Sequence, residues 1–255
     1  MNKWIWAGVL WAVAATVMAA DVAATLKWSQ RVELSPRVSG IVRAVGVKTG
    51  DRVKKGQVLL ALDAGIYEAG VMQARAAVTR YSEELLEAER DLKRTRELYD
   101  RTVIAMTELD QAKLRFARAG AQRDGARAQL ARAQKDLADS ALRAPFDAVV
   151  VARLVEPGQY VAVGLQPQPV LVLAKAGEML AQAGLTEEQA GRLKPGQAVS
   201  VTVAKQKYAG SVRNIGLEPA AGSGGKDGAI YSVDFAFPSG DAILRAGAPA
   251  LVTLP

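Results

Sequence analysis

The residue types that carry much of protein chemistry are missing from this sequence. It contains neither histidine nor cysteine. A histidine base, a thiol nucleophile, a disulfide and a zinc site with nitrogen and sulfur ligands are therefore excluded. Methionine could still bind a soft metal, but Met72, Met106 and Met179 do not cluster in the sequence. Since no hydrolase motif stands out either, we expect no enzyme, no bound metal and no cofactor.

The composition predicts a folded chain with a basic surface. Half of the 255 residues are hydrophobic, and Lys+Arg outnumber Asp+Glu by 33 to 26. Most of the excess lies in residues 21–62, which hold 8 basic and 3 acidic residues. Aromatic residues make up only 5% of the chain and do not alternate with this basic stretch, so we expect no nucleic-acid partner. A solvated basic face near anionic lipid or a partner fits better.

The N-terminus has the pattern of a signal peptide. Lys3 is the only charged residue before Asp21, and the apolar run WIWAGVLWAVAATVMAA ends in small residues. The alternative is an uncleaved anchor, although a membrane-spanning helix needs about 20 apolar residues and this run is shorter. We predict a signal peptide at residues 1–20 and export of the remaining chain.

Residues 64–141 contain no proline and carry two heptad patterns. The first pattern consists of Val71, Val78, Leu85, Leu92 and Tyr99, with Ala74, Tyr81, Ala88 and Thr95 between them. The second consists of Leu109, Phe116, Arg123, Leu130 and Leu137, with Ala112, Ala119, Ala126 and Ala133 between them. These patterns predict two helices of 35 to 39 residues that pack along a shared seam. The short connection makes them an antiparallel hairpin, a spacer with no core beyond its seam.

The break between the two heptads predicts the turn of the hairpin at Asp100–Met106. Thr107 is the predicted N-cap of the second helix, because Asp110 follows it three residues later. Arg123 occupies a seam position, where its stem can lie along the seam or its charge can pair with a neighbouring protomer. We favour the first arrangement, since a long stem covers apolar surface while its head stays in water.

The two sequences that flank the hairpin repeat each other. At a constant separation of 108 positions, Val42, Val47, Gly50 and Val53 match Val150, Val155, Gly158 and Val161. Each flank has the pattern of short β-strands around a glycine turn, and each is too small to bury a core alone. We therefore predict that residues 36–63 and 142–173 close on each other as one sandwich. The hairpin fits as an insertion, because an antiparallel pair begins and ends at the same place.

Three segments carry a resemblance to a known family. They are SPRVSGIVRAVGVKTGDRVKKGQVLLALD at 35–63, ELYDRTVIAMTELDQA at 97–112 and LRAPFDAVVVARLVEPGQYV at 142–161. They resemble the periplasmic adaptor subunits, or membrane fusion proteins, of tripartite efflux pumps. The resemblance implies an α+β fold in which a split lipoyl-like (barrel-sandwich) β domain holds an inserted antiparallel α-helical hairpin. It also implies a β-barrel domain formed by residues 21–35 and 174–255.

The barrel region itself shows supporting patterns. Thr186 is a predicted cap of a helical turn that ends at Leu193, and residues 199–203 alternate as a strand does. The glycine-rich residues 222–228 are a predicted flexible loop. No membrane-proximal domain is evident before the end of the sequence.

The resemblance implies a non-enzymatic adaptor that links an inner-membrane transporter to an outer-membrane channel for efflux of small molecules. An RND transporter is the first interpretation, and an ABC exporter or a type I secretion system is the alternative. Lipoyl-like domains of this family pack into a ring, so a trimer or hexamer in the periplasm at the inner membrane is expected. A lipoyl or biotin carrier is less favoured, because the hairpin occupies the place of the carrier lysine and Lys54 and Lys55 lie in another turn.

The resemblance also assigns partner binding to the hairpin tip. The implied residues are Arg94, Leu98, Arg101, Ile104, Ala105 and Met106. Adaptors of trimeric exit channels often have Arg, then Leu four residues later, then Ser seven further on. Arg94 and Leu98 fit this pattern, but Ala105 stands at the serine position. A missing hydrogen bond costs about 1 kcal/mol, so we expect docking to be altered rather than lost. The alternative is an ordinary charged face of the hairpin.

Overall fold

The computed structural model describes residues 20–164, 168–220, 229–240, 242 and 244–254. Apart from Ala20, the predicted signal peptide lies outside these residues, and so does the whole of the predicted loop at 222–228. Residues Arg31–Ala174 form one compact unit, and the segments on either side of it form a second. Within the described residues, no helix combines the length and hydropathy needed to cross a membrane.

The secondary structure consists of fourteen strands, interrupted after the fifth by two long helices and after the tenth by one short helix, within the residues that the structure describes. In chain order the elements are β1 (Ala20–Trp28), β2 (Arg31–Leu34), β3 (Gly40–Val45), β4 (Arg52–Val53), β5 (Val58–Leu62), α1 (Gly65–Asp100), α2 (Met106–Asp139), β6 (Ala141–Arg143), β7 (Ala148–Arg153), β8 (Tyr160–Val161), β9 (Leu171–Lys175), β10 (Glu178–Thr186), α3 (Glu187–Gly191), β11 (Ala198–Val203), β12 (Gln206–Pro219), β13 (Ile230–Pro238) and β14 (Pro249–Leu254).

The unit Arg31–Ala174 contains a sandwich of two four-stranded sheets. Their strand orders are β2-β9-β7-β4 and β6-β5-β3-β8. Each sheet takes two strands from before the hairpin and two from after it, so neither flank can form a core alone. Leu59, Leu60, Val150, Leu171 and Leu173 are buried between the sheets. The split sandwich predicted from the sequence is confirmed.

An exchange of hydrogen bonds joins the two flanks with approximate two-fold symmetry. The Gly50 N–H donates to the Val150 carbonyl at 2.8 Å, and the Gly158 N–H donates to the Val42 carbonyl at 2.8 Å. These four residues are pairs of the sequence repeat. Both glycines have positive φ, 94° and 90°, a conformation that a side chain disfavours. The repeat therefore encodes two equivalent turns, each of which pins the opposite flank.

One boundary of the sandwich differs from the sequence prediction. The resemblance places residues 21–35 in the barrel, but β2 pairs antiparallel with β9 in the sandwich. Leu34 packs against the sandwich core. The segment RVEL alternates between exposed and half-buried residues, a pattern that suits an edge strand of either sheet system. Its membership is decided by pairing with a distant strand.

The two long helices pack along the predicted seam. All eighteen heptad positions are buried or half-buried in the structure, which confirms the hairpin. Fully buried alanines at 112, 119 and 126 allow the helices to approach closely. Helix α1 has 36 residues and α2 has 34, one fewer than the shortest predicted length.

The structure corrects the predicted start of α2 and supports the predicted placement of Arg123. The predicted N-cap Thr107 is wrong, since Ala105 is the N-cap and the helix begins at Met106. The backbone of Ala105 is extended, with φ −77° and ψ 153°, and the residues that follow it are helical. Thr107 therefore lies within the first turn of α2. Arg123 keeps its side chain only 27% exposed and pairs with Asp124 of its own helix at 2.8 Å. This agrees with a stem that lies along the seam.

The second unit is a closed barrel with strand order β1-β10-β13-β12-β11-β14. Strand β1 closes it by pairing with β10 on one side and β14 on the other. Leu26, Phe235 and Phe237 are buried in its core. The predicted cap at Thr186 is confirmed, because its hydroxyl accepts the Gln189 N–H and the Gln189 side chain accepts the Thr186 N–H.

Candidate functional site

The hairpin tip is closed by backbone hydrogen bonds at the end of α1. The Thr102 N–H donates to the Tyr99 carbonyl at 2.8 Å, and the Val103 N–H donates to the Leu98 carbonyl at 3.0 Å. This pair of bonds is a Schellman motif, which ends a helix with one residue in the left-handed conformation. That residue is Thr102, with φ 60°.

Thr102 makes the turn strained. A β-branched residue in the left-handed region is a genuine outlier, because its side chain crowds the backbone. Such a conformation costs about 1–3 kcal/mol and persists only where the surroundings enforce it. Strain of this kind is often found at functional sites, which makes the tip a candidate for partner contacts.

The start of α2 explains the role of position 105. Ala105 occupies the N-cap, and its methyl group makes no capping hydrogen bond to the first turn. Serine is a preferred N-cap, since its hydroxyl accepts from the N–H groups that have no partner within the helix. The serine expected from the resemblance would therefore cap α2 as well as offer a hydroxyl to a partner.

The structure brings five of the six predicted site residues together around the turn. Arg101 and Ala105 are exposed, Ile104 is half-buried, and Leu98 and Met106 are 38% and 59% exposed. Arg94 is also exposed, but it lies one helical turn before Leu98 and away from the turn itself. Their role in partner binding stays a prediction.

Val103 was missed by the sequence interpretation. It lies within the turn and is 65% exposed, more than Leu98 or Met106. The sequence did indicate this exposure, because Val103 lies between the two heptad patterns, where an apolar side chain cannot pack in the seam between the helices. Leu98, Val103 and Met106 together give the tip an apolar surface, which we call the tip surface.

The glycine turn that contains Lys54 and Lys55 has a structural role. The Asp147 carboxylate accepts the Lys55 N–H at 2.8 Å and pairs with the Lys54 Nζ at 3.4 Å. The backbone hydrogen bond from Lys55 is the main cause that lowers the pKa of Asp147, and the Lys54 charge adds to it. These contacts tie one flank of the sandwich to the other. They give Lys54 a structural partner, which weighs against a carrier lysine.

The hairpin root contains a cleft of about 510 Å³. Arg37, Asp139 and Arg143 are among its charged lining residues. In the part of the chain that the structure describes, no three acidic side chains gather into a possible metal site. The absence of a metal and of a cofactor stays a prediction.

Relatives of this chain were found among curated proteins. The macrolide export protein MacA of Yersinia pestis is 28% identical over 242 residues, which cover 88% of this chain and 64% of that protein. The pyoverdine export membrane fusion protein PvdR of Pseudomonas aeruginosa is 28% identical over an alignment of 274 positions, gaps included, which covers 89% of this chain and 67% of that protein. The chain thus spans about two thirds of the length of these relatives.

Solved structures share the fold. The membrane fusion protein Spr0693 from Streptococcus pneumoniae R6 has a TM-score of 0.72 and 19% identity, covering 92% of this chain and 98% of that one. A MacA-MexA chimeric protein with the Pseudomonas aeruginosa MexA α-hairpin domain has a TM-score of 0.68 and 21% identity, covering 92% and 78%. The family described as CzcB-like, barrel-sandwich hybrid domain matches residues 30–166. These residues include the first flank, the whole hairpin and the second flank as far as residue 166, which is more than half of the chain. The chain therefore belongs to the CzcB-like barrel-sandwich hybrid family, and its resemblance to membrane fusion proteins is confirmed.

Proposed function

We propose that this chain is a non-enzymatic periplasmic adaptor at the inner membrane. It links an inner-membrane transporter of the RND or ABC class to an outer-membrane exit channel for the efflux of small molecules. The observation that carries this proposal is a long hairpin joined without linkers to a sandwich made from both of its flanks. The names of the relatives, which refer to macrolide and pyoverdine export, support an export role.

The hairpin has the construction of a spacer. At about 1.5 Å per residue, each helix is about 50 Å long. Strand β5 ends at Leu62 and α1 begins at Gly65, while α2 ends at Asp139 and β6 begins at Ala141. Because only one or two residues separate each helix from its strand, the hairpin continues the sandwich rather than hanging from a flexible linker. Such a construction suits a bridge between two membrane proteins.

The tip surface is the proposed contact with the exit channel, together with Arg94, Arg101, Ile104 and Ala105. The exposed apolar residues of the tip surface can bury area against a partner, and the nearby Arg94 and Arg101 can pair with acidic groups of that partner. The sandwich is the proposed ring-forming part, as a trimer or hexamer. Native mass spectrometry of the purified protein measures the ring size directly.

Removal of the hairpin tests the bridging role. The Leu62 N–H donates to the Ser140 carbonyl at 2.8 Å, so the two ends already meet at the root. A variant that joins Ala64 to Ser140 and lacks the residues between them should keep a folded sandwich, checked by circular dichroism. We expect this variant to lose all export-dependent drug tolerance in cells that lack the native chain. Full tolerance with the shortened chain would contradict the bridging role.

A single substitution tests the tip surface. We expect Leu98→Asp to reduce cross-linking to the exit channel about tenfold, because a charge replaces a buried apolar contact worth over 1 kcal/mol. Leu86→Asp is the matched control, since Leu86 lies on the same helix and is also 38% exposed. Equal cross-linking by both variants would favour an ordinary charged hairpin face.

The transporter class can be decided by co-purification. Tagged protein isolated from membranes after mild cross-linking should carry one dominant transporter, identified by mass spectrometry. An RND protein would support a proton-driven partner, and an ABC protein would support an ATP-driven one. Recovery of neither class, with the exit channel present, would contradict the adaptor role.

A further inference from the structure

A short segment between β2 and β3 contacts both helices at the root of the hairpin. We call residues 35–39 the strap. It enters the sandwich through Val38, which packs against the core. The strap is also held from the second flank, because the Val163 N–H donates to the Ser39 Oγ at 2.9 Å. It therefore belongs firmly to the sandwich.

Helix α1 is tied to the strap by Tyr67. This residue lies in the first turn of α1 and its Oη donates a hydrogen bond to the Ser39 carbonyl. The side chain is half-buried. Burial raises the pKa of Tyr67, and Asp136 and Tyr160 add to the effect, so the hydroxyl keeps its proton and remains a donor. This tie joins residues 28 positions apart in sequence.

Helix α2 makes a weaker contact with the strap. Arg37 and Asp139 are 3.9 Å apart, and the Arg37 side chain is 75% exposed. Asp139 also pairs with Lys135 of its own helix. Exposed ion pairs contribute about 0–1 kcal/mol, so this contact constrains the hairpin little.

The two backbone connections at the root lie close together, because the Leu62 N–H donates to the Ser140 carbonyl at 2.8 Å, so they restrain rotation of the hairpin less well than a contact farther from them would. The Ala64 N-cap makes no side-chain hydrogen bond, although the neighbouring Asp63 carboxylate accepts the Gly65 N–H at 3.1 Å. Small changes in the backbone angles at Ala64 and Ser140 would swing a lever about 50 Å long. A side-chain contact away from the two connections restricts such a swing.

We propose that Tyr67 is a positioning residue that sets the angle of the hairpin on the sandwich by holding the strap. The two backbone connections act as a hinge, and the Tyr67–Ser39 hydrogen bond is the contact off the hinge that restricts rotation. Asp139 and Arg37 assist on the other helix with a smaller share. This property belongs to the isolated chain and does not require a transporter or an exit channel.

The absence of cysteine from the sequence makes the test simple, since two introduced cysteines are the only labelling sites. Thr49→Cys on the sandwich and Gln122→Cys on the outer face of α2 are both at exposed positions. Spin labels at these sites report the hairpin angle through their distance distribution in the full chain. We expect Tyr67→Phe to widen this distribution about twofold, because rotation at the hinge is released.

Two variants act as comparisons. Tyr81→Phe removes the hydroxyl of a seam tyrosine away from the root and should leave the distribution unchanged. Ser39→Ala frees the strap from the Val163 N–H while the Tyr67 acceptor remains, and it should widen the distribution by a smaller factor. If Tyr67→Phe does not fold, a wider distribution for Ser39→Ala supports the strap as the restraint on the hairpin angle, and an unchanged one overturns the proposal.

An unchanged distribution for Tyr67→Phe would overturn the proposal, and so would equal widening by Tyr81→Phe. A loss of folding is detected separately from the helical circular dichroism signal, which a change of hairpin angle does not alter. Because the measurement uses the purified chain alone, its failure leaves the adaptor role untouched, and failure of the adaptor role leaves this result standing.

Discussion

The two ends of the hairpin differ in the contacts that hold them. At the root, α1 and α2 join the sandwich through short connections, a backbone hydrogen bond between Leu62 and Ser140, and the Tyr67 tie to Ser39. At the tip, backbone bonds alone close the turn, Thr102 is strained, and apolar side chains face solvent. The root is therefore stabilised by contacts within the chain. The exposed apolar side chains of the tip make few contacts within the chain, which is typical of a surface that binds a partner.

The largest effect expected from this comparison is at the root. Leu62 is 2% exposed and belongs to the sandwich core, whereas Val103 lies open at the tip. Leu62→Ala should lower the free energy of unfolding of the sandwich by about 2–5 kcal/mol, because it removes buried methyl groups and leaves a cavity. Scanning calorimetry measures the change. Val103→Ala is the control and should leave the unfolding transition of the sandwich unchanged. Equal destabilisation by the two variants would contradict the difference between a buried root and an exposed tip.

A smaller effect is expected at the tip. Ala105→Ser should stabilise the hairpin by about 1 kcal/mol, because the hydroxyl caps the first turn of α2. Thermal melting followed by circular dichroism measures this gain. Ala105→Gly gives nearly the same preference for the N-cap without a hydroxyl. Comparing the two variants therefore separates capping of α2 from a hydrogen bond between the hydroxyl and a partner. If only the serine variant cross-links better to the exit channel, the hydroxyl contacts the partner; no gain in stability for the serine variant would refute the cap assignment.

The smallest effect concerns the charge contact between the sandwich flanks. The Lys55 N–H and the Lys54 charge lower the pKa of Asp147 from its ordinary value of 3.8. Its stabilising contribution is therefore complete above that value and is lost as the pH falls through the lower pKa of the folded chain. A carbon-detected NMR titration should place its midpoint below 3.8. A midpoint at or above that value would mean that the contact does not persist in solution.

The sequence predicted the hairpin and the split sandwich because both rest on local or repeated patterns. A heptad shows in any window of a few turns, and glycine turns such as those at Gly50 and Gly158 mark where the backbone must adopt positive φ. The tip residues came from a resemblance, and the structure places five of the six around the turn. Their role in partner binding stays a prediction.

Other features could not be predicted from local patterns. The assignment of residues 31–34 to the sandwich depends on pairing with residues 171–174, far along the chain. The start of α2 at Met106 rather than after Thr107 depends on how the turn closes the end of α1. The exposure of Val103 follows from the same turn geometry. Each outcome is set by contacts between segments that a window of sequence does not contain.

The sequence by itself determined the architecture: two matched flanks, two helices with one seam, and a chain with no histidine or cysteine chemistry. Periodicity and turn residues act through local backbone preferences, so they are visible in the order of the residues. Only the tertiary structure decided which groups hold the hairpin at its root. Tyr67 meets Ser39, and the flanks exchange hydrogen bonds, because folding brings distant segments within 3 Å of each other, where hydrogen bonds form.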